Sequence, residues 1–124
     1  MKFKIDTKEK IVIFCPEVES LDANLSDNLL SIISVLPELN GRNLILDLSS
    51  VQKYDEKGLD DILAVYQWMY DNNKSCAITG VNTALTVPLK AAGGEMLNLA
   101  PTMAEAIDLV MMEELERELL DGLE

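Results

Sequence analysis

Carboxylates crowd one stretch of the chain, with Asp47, Asp55, Glu56, Asp60 and Asp61 inside fifteen residues. Paired carboxylates are the raw material for acid–base work or for holding a cation. Asp60 and Asp61, however, are adjacent in what reads as a helix, so their side chains diverge by about 100° and do not converge on one ion. The sequence contains no histidine, which removes the commonest general base and the commonest metal ligand. Serine–histidine and cysteine–histidine catalysis by this chain alone go with it. Cys15 and Cys76 form no CxxC pair and lie in apolar runs, IVIFC and SCAIT, where free cysteine behaves as a small buried hydrophobe. No glycine-rich phosphate loop is present. The expectation is a protein that is not an enzyme and carries neither cofactor nor metal.

The elements that position these carboxylates are legible. Leu44, Ile45, Leu46 and Leu48, broken only by Asp47, read as a strand buried on both faces. A polar crossing, Ser49 to Asp55, carries apolar anchors at Val51 and Tyr54. Asp55-Glu56-Lys57-Gly58 then leads into Leu59, Ile62, Leu63, Tyr66 and Tyr70, the three- and four-residue spacing of an amphipathic helix with these residues inward. Functional groups in open α/β sheets collect where strands end and helices begin, so the working surface is expected at Asp55–Gly58 and along that helix. Lys57, Asp61, Ala64 and Trp68 share a second stripe of it, ending at the only tryptophan, a residue type enriched in interface hot spots.

Around this unit the chain alternates strands and helices. Phe3 and Ile5 alternate with Lys2, Lys4 and Asp6, an edge strand guarded by lysines. Ile11 to Cys15 is a second strand, forming a hairpin with the first. A helix is predicted from Leu21 to Leu36, capped by Ser20 and stopped by Pro37, with Leu21, Leu25, Leu29, Ile32, Ile33 and Leu36 inward and Asp22, Asn24, Ser26 and Asp27 toward water. Ser75 to Thr79 is a strand stopped by Gly80. A short helix, Ala84 to Ala92, follows a cap at Asn82 or Thr83, and Pro88 is expected to delay or kink it. Met96 to Leu99 reads as the last strand. Thr102 and Glu105 form a capping box for a final helix through Met103, Ile107, Val110, Met111, Leu115 and Leu119. The predicted fold is α/β, one domain with a mixed, mostly parallel sheet of about five strands flanked by four helices.

Charge narrows the partners. The chain of 124 residues has a net charge of −12, and from Glu105 onward it holds eight acids against one base, Arg117. Such a surface repels nucleic acid phosphates and favours basic protein partners. No apolar segment approaches the roughly 20 residues of a membrane span, and the N-terminus lacks the apolar run of a secretory signal. A cytoplasmic location is expected.

The order of elements, the Leu-Asp-Leu-Ser strand, the turn and the terminal amphipathic helix resemble the STAS family, the bacterial anti-sigma factor antagonists and their relatives. The resemblance covers residues 2 to about 112 and is most specific over LILDLSSVQKYDEKGL, where Leu46, Asp47, Leu48, Ser49, Val51, Asp55, Gly58 and Leu59 match the family's LDLSxVxxxDSSGL. It implies a non-catalytic regulatory module that docks a partner, such as a GHKL-type anti-sigma kinase, through Asp55, Glu56, Lys57, Gly58 and the following helix with Asp61, Ala64 and Trp68. In the family the serine before the glycine is phosphorylated, and the added charge breaks the complex. Lys57 stands at that phosphorylation-equivalent position, with Glu56 before it, so serine phosphorylation at the usual site is not expected. The alternative implied by the resemblance is a module binding a small ligand, a nucleotide or an anion. Family domains end near Met111, which divides the chain into a STAS-like domain, 1–112, and an acidic helical extension, 113–124. Leu115, Leu119, Leu120 and Leu123 of that extension are expected to project, as a homodimer contact or a partner contact.

Overall fold

A computed structural model of the chain describes residues 1–22, 28–95 and 97–122. Among them a five-stranded sheet runs in the order β1 (Phe3–Thr7), β2 (Ile11–Pro16), β4 (Asn43–Asp47), β6 (Cys76–Thr79), β7 (Leu99–Ala100). β1 pairs antiparallel to β2, as the hairpin reading predicts, and every other neighbouring pair in this sheet is parallel. Two further strands of two residues each, β3 (Ser20–Leu21) and β5 (Lys53–Tyr54), pair in parallel apart from it. The helices are α1 (Leu29–Ile33), α2 (Glu56–Asp71), α3 (Thr83–Gly93) and α4 (Met103–Gly122).

Alternation along the central strands sorts the core into two layers. Val12, Phe14, Leu44, Leu46 and Ile78 face the side carrying α1, α2 and α3. Ile11, Ile13, Ile45 and Ala77 face α4, where Ala106 and Val110 cover them. Placing the crossover helices α1–α3 on one face is what right-handed parallel connections demand. The fully buried line of α2 is Gly58, Ile62, Val65 and Met69, while Leu59, Leu63, Tyr66 and Tyr70 are half-buried along its flank. That places the helix about one residue's rotation from the predicted inward face.

Three local expectations are corrected. Ser20 caps no helix: Ser20 and Leu21 form β3, because the main chain of Leu21 pairs with Tyr54 and its carbonyl accepts the Asp55 amide at 3.2 Å. The first helix instead starts at Leu29, where the Asn28 side chain accepts the Ser31 amide at 2.8 Å. It ends at Ile33, and Pro37 opens a separate 3₁₀ turn, Pro37–Leu39. The predicted positions Asn24, Leu25, Ser26 and Asp27 lie outside the described residues. Second, Pro88 does not delay α3, which starts at Thr83 under an Asn82 cap. Pro88 and Ala84, whose carbonyl it leaves unpaired in the helix, are both exposed, where water can serve that group. Third, the last strand is Leu99–Ala100 rather than Met96–Leu99, since the amide and side chain of Asn98 are taken by tyrosines and Glu113; Met96 lies outside the described residues.

Candidate functional site

The turn at residues 55–58 sits where β4 and β6 deliver the chain. Asp47, at the end of β4, accepts the Ser49 amide on its Oδ1 at 3.1 Å. Gly80, just past β6, has φ of 77° and lies so close that a Cβ there would be 2.6 Å from Asp47 Oδ1. Only glycine fits that backbone and that gap. The crossing after β4 is then fixed from two sides. Gln52 and Lys53 donate their amides to the Glu19 carbonyl at 2.7 and 3.2 Å. Asn82 donates from its side chain to the Gln52 carbonyl at 3.2 Å, and the Tyr54 hydroxyl donates to the Leu85 carbonyl. Val51 is buried beneath.

Helix α2 begins under a well-formed cap. Asp55 Oδ1 accepts the Gly58 amide at 2.9 Å, satisfying one of the free donors of the first turn. Gly58 is buried, and a Cβ there would stand 2.0 Å from the Leu21 carbonyl oxygen. The glycine is thus required by the chain's own close approach, between the helix start and β3. Asp55 itself, Glu56, Lys57, Asp60 and Ala64 are open to solvent. Lys57 Nζ lies 3.1 Å from Asp61 Oδ1, an ion pair one helical turn apart in which the Asp61 side chain is largely covered. The pair offsets the mild penalty of a cation at a helix N-terminus.

Trp68 lies about 16 Å farther along the helix axis. It is half-buried, packed against the core, and lines a cleft of 440 Å³ with Leu39, Arg42, Met69, Asn72 and Lys74 among its walls. The structure therefore brings Asp55, Glu56, Lys57, Gly58 and Asp61 together, continues them with Ala64, and sets Trp68 apart at the other end of the helix. Among the described residues no acid lines the Trp68 cleft, although acids outnumber bases 22 to 10 in the chain. Arg42 donates to the carbonyls of Lys8 and Glu38 at 2.8 and 2.9 Å. Among the described residues no group of histidine, cysteine, aspartate and glutamate side chains is placed to hold a metal ion, and no helix is long and apolar enough to cross a membrane. Both thiols have raised pKa values, Cys76 by burial and by Glu113, and Cys15 by burial and by Asp47 against hydrogen bonds from Ser49 and Ser50.

The pairing of β3 with β5 and the Leu21–Gly58 contact escape a reading of the sequence. Val51 and Tyr54 signal that the crossing is anchored, but nothing local says that residues 20–21 are the strand it meets.

No family sequence model matches the chain, and no curated protein sequence matches it. Solved structures do. A variant of RsbS from Moorella thermoacetica is similar over 94% of this chain and 99% of its own, with a TM-score of 0.67 at 19% identity. A Thermotoga maritima protein assigned as an anti-sigma factor antagonist is similar over 88% of this chain and 94% of its own, with a TM-score of 0.65 at 16% identity. A chain of the stressosome, described as a signal integration and transduction hub, is similar over 87% and 96%, with a TM-score of 0.63 at 13% identity. The chain has a STAS-domain fold.

Proposed function

We propose that this protein is a non-catalytic regulatory module of the cytoplasm that docks a protein partner through the start of α2. The contact face is Glu56, Lys57, Asp61 and Ala64, with Asp55 and Gly58 holding it in place. One observation carries the reading: a turn capped by Asp55 and locked by Gly58 against Leu21 presents an exposed lysine and a small exposed alanine on one helix face, at the carboxyl end of a parallel sheet. A pre-formed, rigid helix face of this kind loses little entropy on binding. The similarity to anti-sigma factor antagonist and stressosome structures favours a GHKL-type anti-sigma kinase as the partner. Lys57 keeps a positive charge where the family's switch would add a negative one, so the surface stays competent without serine phosphorylation at that position. Replacing Lys57 with glutamate sets two like charges one turn apart and reverses the sign of the contact. Titration of the kinase against wild type and Lys57→Glu should show affinity falling about tenfold; equal affinity would take Lys57 out of the contact.

The Trp68 cleft supports a second reading, a small anionic ligand such as a nucleotide. Arg42 and Lys74 supply positive charge without an acid among the described lining residues, beside an aromatic face, and the volume suits a small molecule. A nucleotide series that raises the melting temperature of wild type but not of Trp68→Leu would favour it; no shift with any nucleotide would count against it.

A further inference from the structure

The second half of α4 presents an apolar seam that none of the described residues covers. Its buried line is Ala106, Val110 and Glu114. Roughly opposite on the helix wheel stand Met112, Leu115 and Leu119, exposed by 61, 56 and 63%. Their spacing of three and four residues is that of a coiled-coil seam, and Asp108 and Glu105 continue the same line toward the helix start. Glu116 and Glu118 occupy the two positions that flank such a seam, where charge selects the partner. Lys10 reaches Glu118 at 3.4 Å from the sheet side. The helix's own base is committed inward: Arg117 donates to Ser75, Asn43 and Glu114 at 2.7, 2.9 and 2.8 Å. Among the described residues the outward face of the helix thus holds acids and apolar groups, and the base beside it, Lys10, stands at its sheet-side edge on Glu118.

The same bonds make this face rigid. Glu113 accepts from Tyr70 at 2.7 Å and from Asn98 at 3.0 Å, and Glu114 accepts from Asn43 and Arg117. The helix is fastened on its inner side through the turn that carries Leu115, so the seam is presented and not frayed.

A second copy of the chain is a poor occupant. Laid parallel, it would set Asp108 against its own counterpart within the seam. Laid antiparallel, it would set Glu116 against Glu116 and Glu118 against Glu118. Either arrangement places like charges at the contact. We infer that the seam Met112–Leu115–Leu119 docks a basic amphipathic helix of another protein, its apolar line on the three side chains and its flanking lysines or arginines on Asp108, Glu116 and Glu118. This surface belongs to the face of the sheet opposite α2, so the inference stands apart from docking at Lys57.

A fluorescein-labelled peptide of about three heptads, with leucine along its seam and lysine at the flanking positions, is the probe, read by anisotropy against the full chain. Its counterpart with glutamate at the flanks is the control. The lysine peptide should bind saturably, the glutamate peptide should not, and sedimentation should show wild type as a monomer. The double variant Leu115→Asp/Leu119→Asp should keep the melting temperature of wild type and weaken the lysine peptide by about tenfold or more, although it adds two negative charges. Equal or tighter binding by that variant would mean charge alone attracts the peptide, and would overturn the inference. A wild-type dimer dispersed by the same variant would overturn it in favour of a second copy.

Discussion

At the scale of single residues, the turn before α2 is held by two positions and displays a third. Gly58 has no room for a side chain, since its Cβ would be 2.0 Å from the backbone oxygen of Leu21. Gly58→Ala must push β3 and α2 apart, and urea unfolding should show a loss of about 2–4 kcal/mol. Asp55→Ala removes the cap on the Gly58 amide and should cost about 1 kcal/mol in the same measurement. Lys57→Ala should change stability by less than about 0.5 kcal/mol, because the lysine end of its pair with Asp61 is open to water and such pairs contribute little. The three substitutions together separate the framework from the contact. Asp55 and Gly58 act through the fold, and Lys57 acts through what it offers to a partner. The sequence shows the cap plainly, since an aspartate three residues before a glycine at a helix start is a local signal. It does not show why the glycine is needed, because the atom that excludes a side chain belongs to Leu21, far away along the chain.

At the scale of elements, α4 carries a polar fastening that hydropathy patterning does not anticipate. Periodicity draws attention to Met103, Ile107, Met111, Leu115 and Leu119, but the buried line ends in Glu114, 8% exposed, and Leu115 and Leu119 face out as expected for a stripe that winds around the helix. Glu114, Arg117, Asn43 and Ser75 satisfy one another, and among the described residues no buried side-chain polar atom is without a partner. A buried carboxylate is legible only once its distant amide and guanidinium partners are in place. Arg117→Ala should therefore destabilise by about 2 kcal/mol, read by denaturant midpoint, because it leaves Glu114 charged and under-paired. Burial pushes Glu113 and Glu114 toward the neutral form. Hydrogen bonds from Ser75, Tyr70 and Asn98 at Glu113, and from Arg117 and Asn43 at Glu114, outweigh it and hold both below the usual carboxylate range. Groups depressed in the folded state stabilise it above their unfolded pKa, about 4.3, and that contribution disappears as pH falls through the folded values. Wild type should lose stability below about pH 4.5. Glu114→Gln should be less stable at neutral pH and fall less steeply on acidification; an unchanged acid limb would remove Glu114 from the linkage.

At the scale of the whole molecule, the alternation of strand and helix, the lead hairpin and the mostly parallel sheet are all readable from sequence, because each rests on local periodicity. The two-residue strands and the short α1 are not, because pairing with a distant segment decides them. The resulting STAS fold carries two unlike surfaces on opposite faces of the sheet, a charged turn at α2 and an acidic-flanked apolar seam on α4. Partner docking is proposed for the first of these. Its most direct measurement is affinity capture from a native lysate with wild type and with a Lys57→Glu/Ala64→Arg variant, both positions being exposed, read by mass spectrometry. Docking through the start of α2 predicts that wild type alone recovers a kinase-like ATPase of the GHKL type. Recovery of the same partner by both proteins, or of no such ATPase by either, would contradict it.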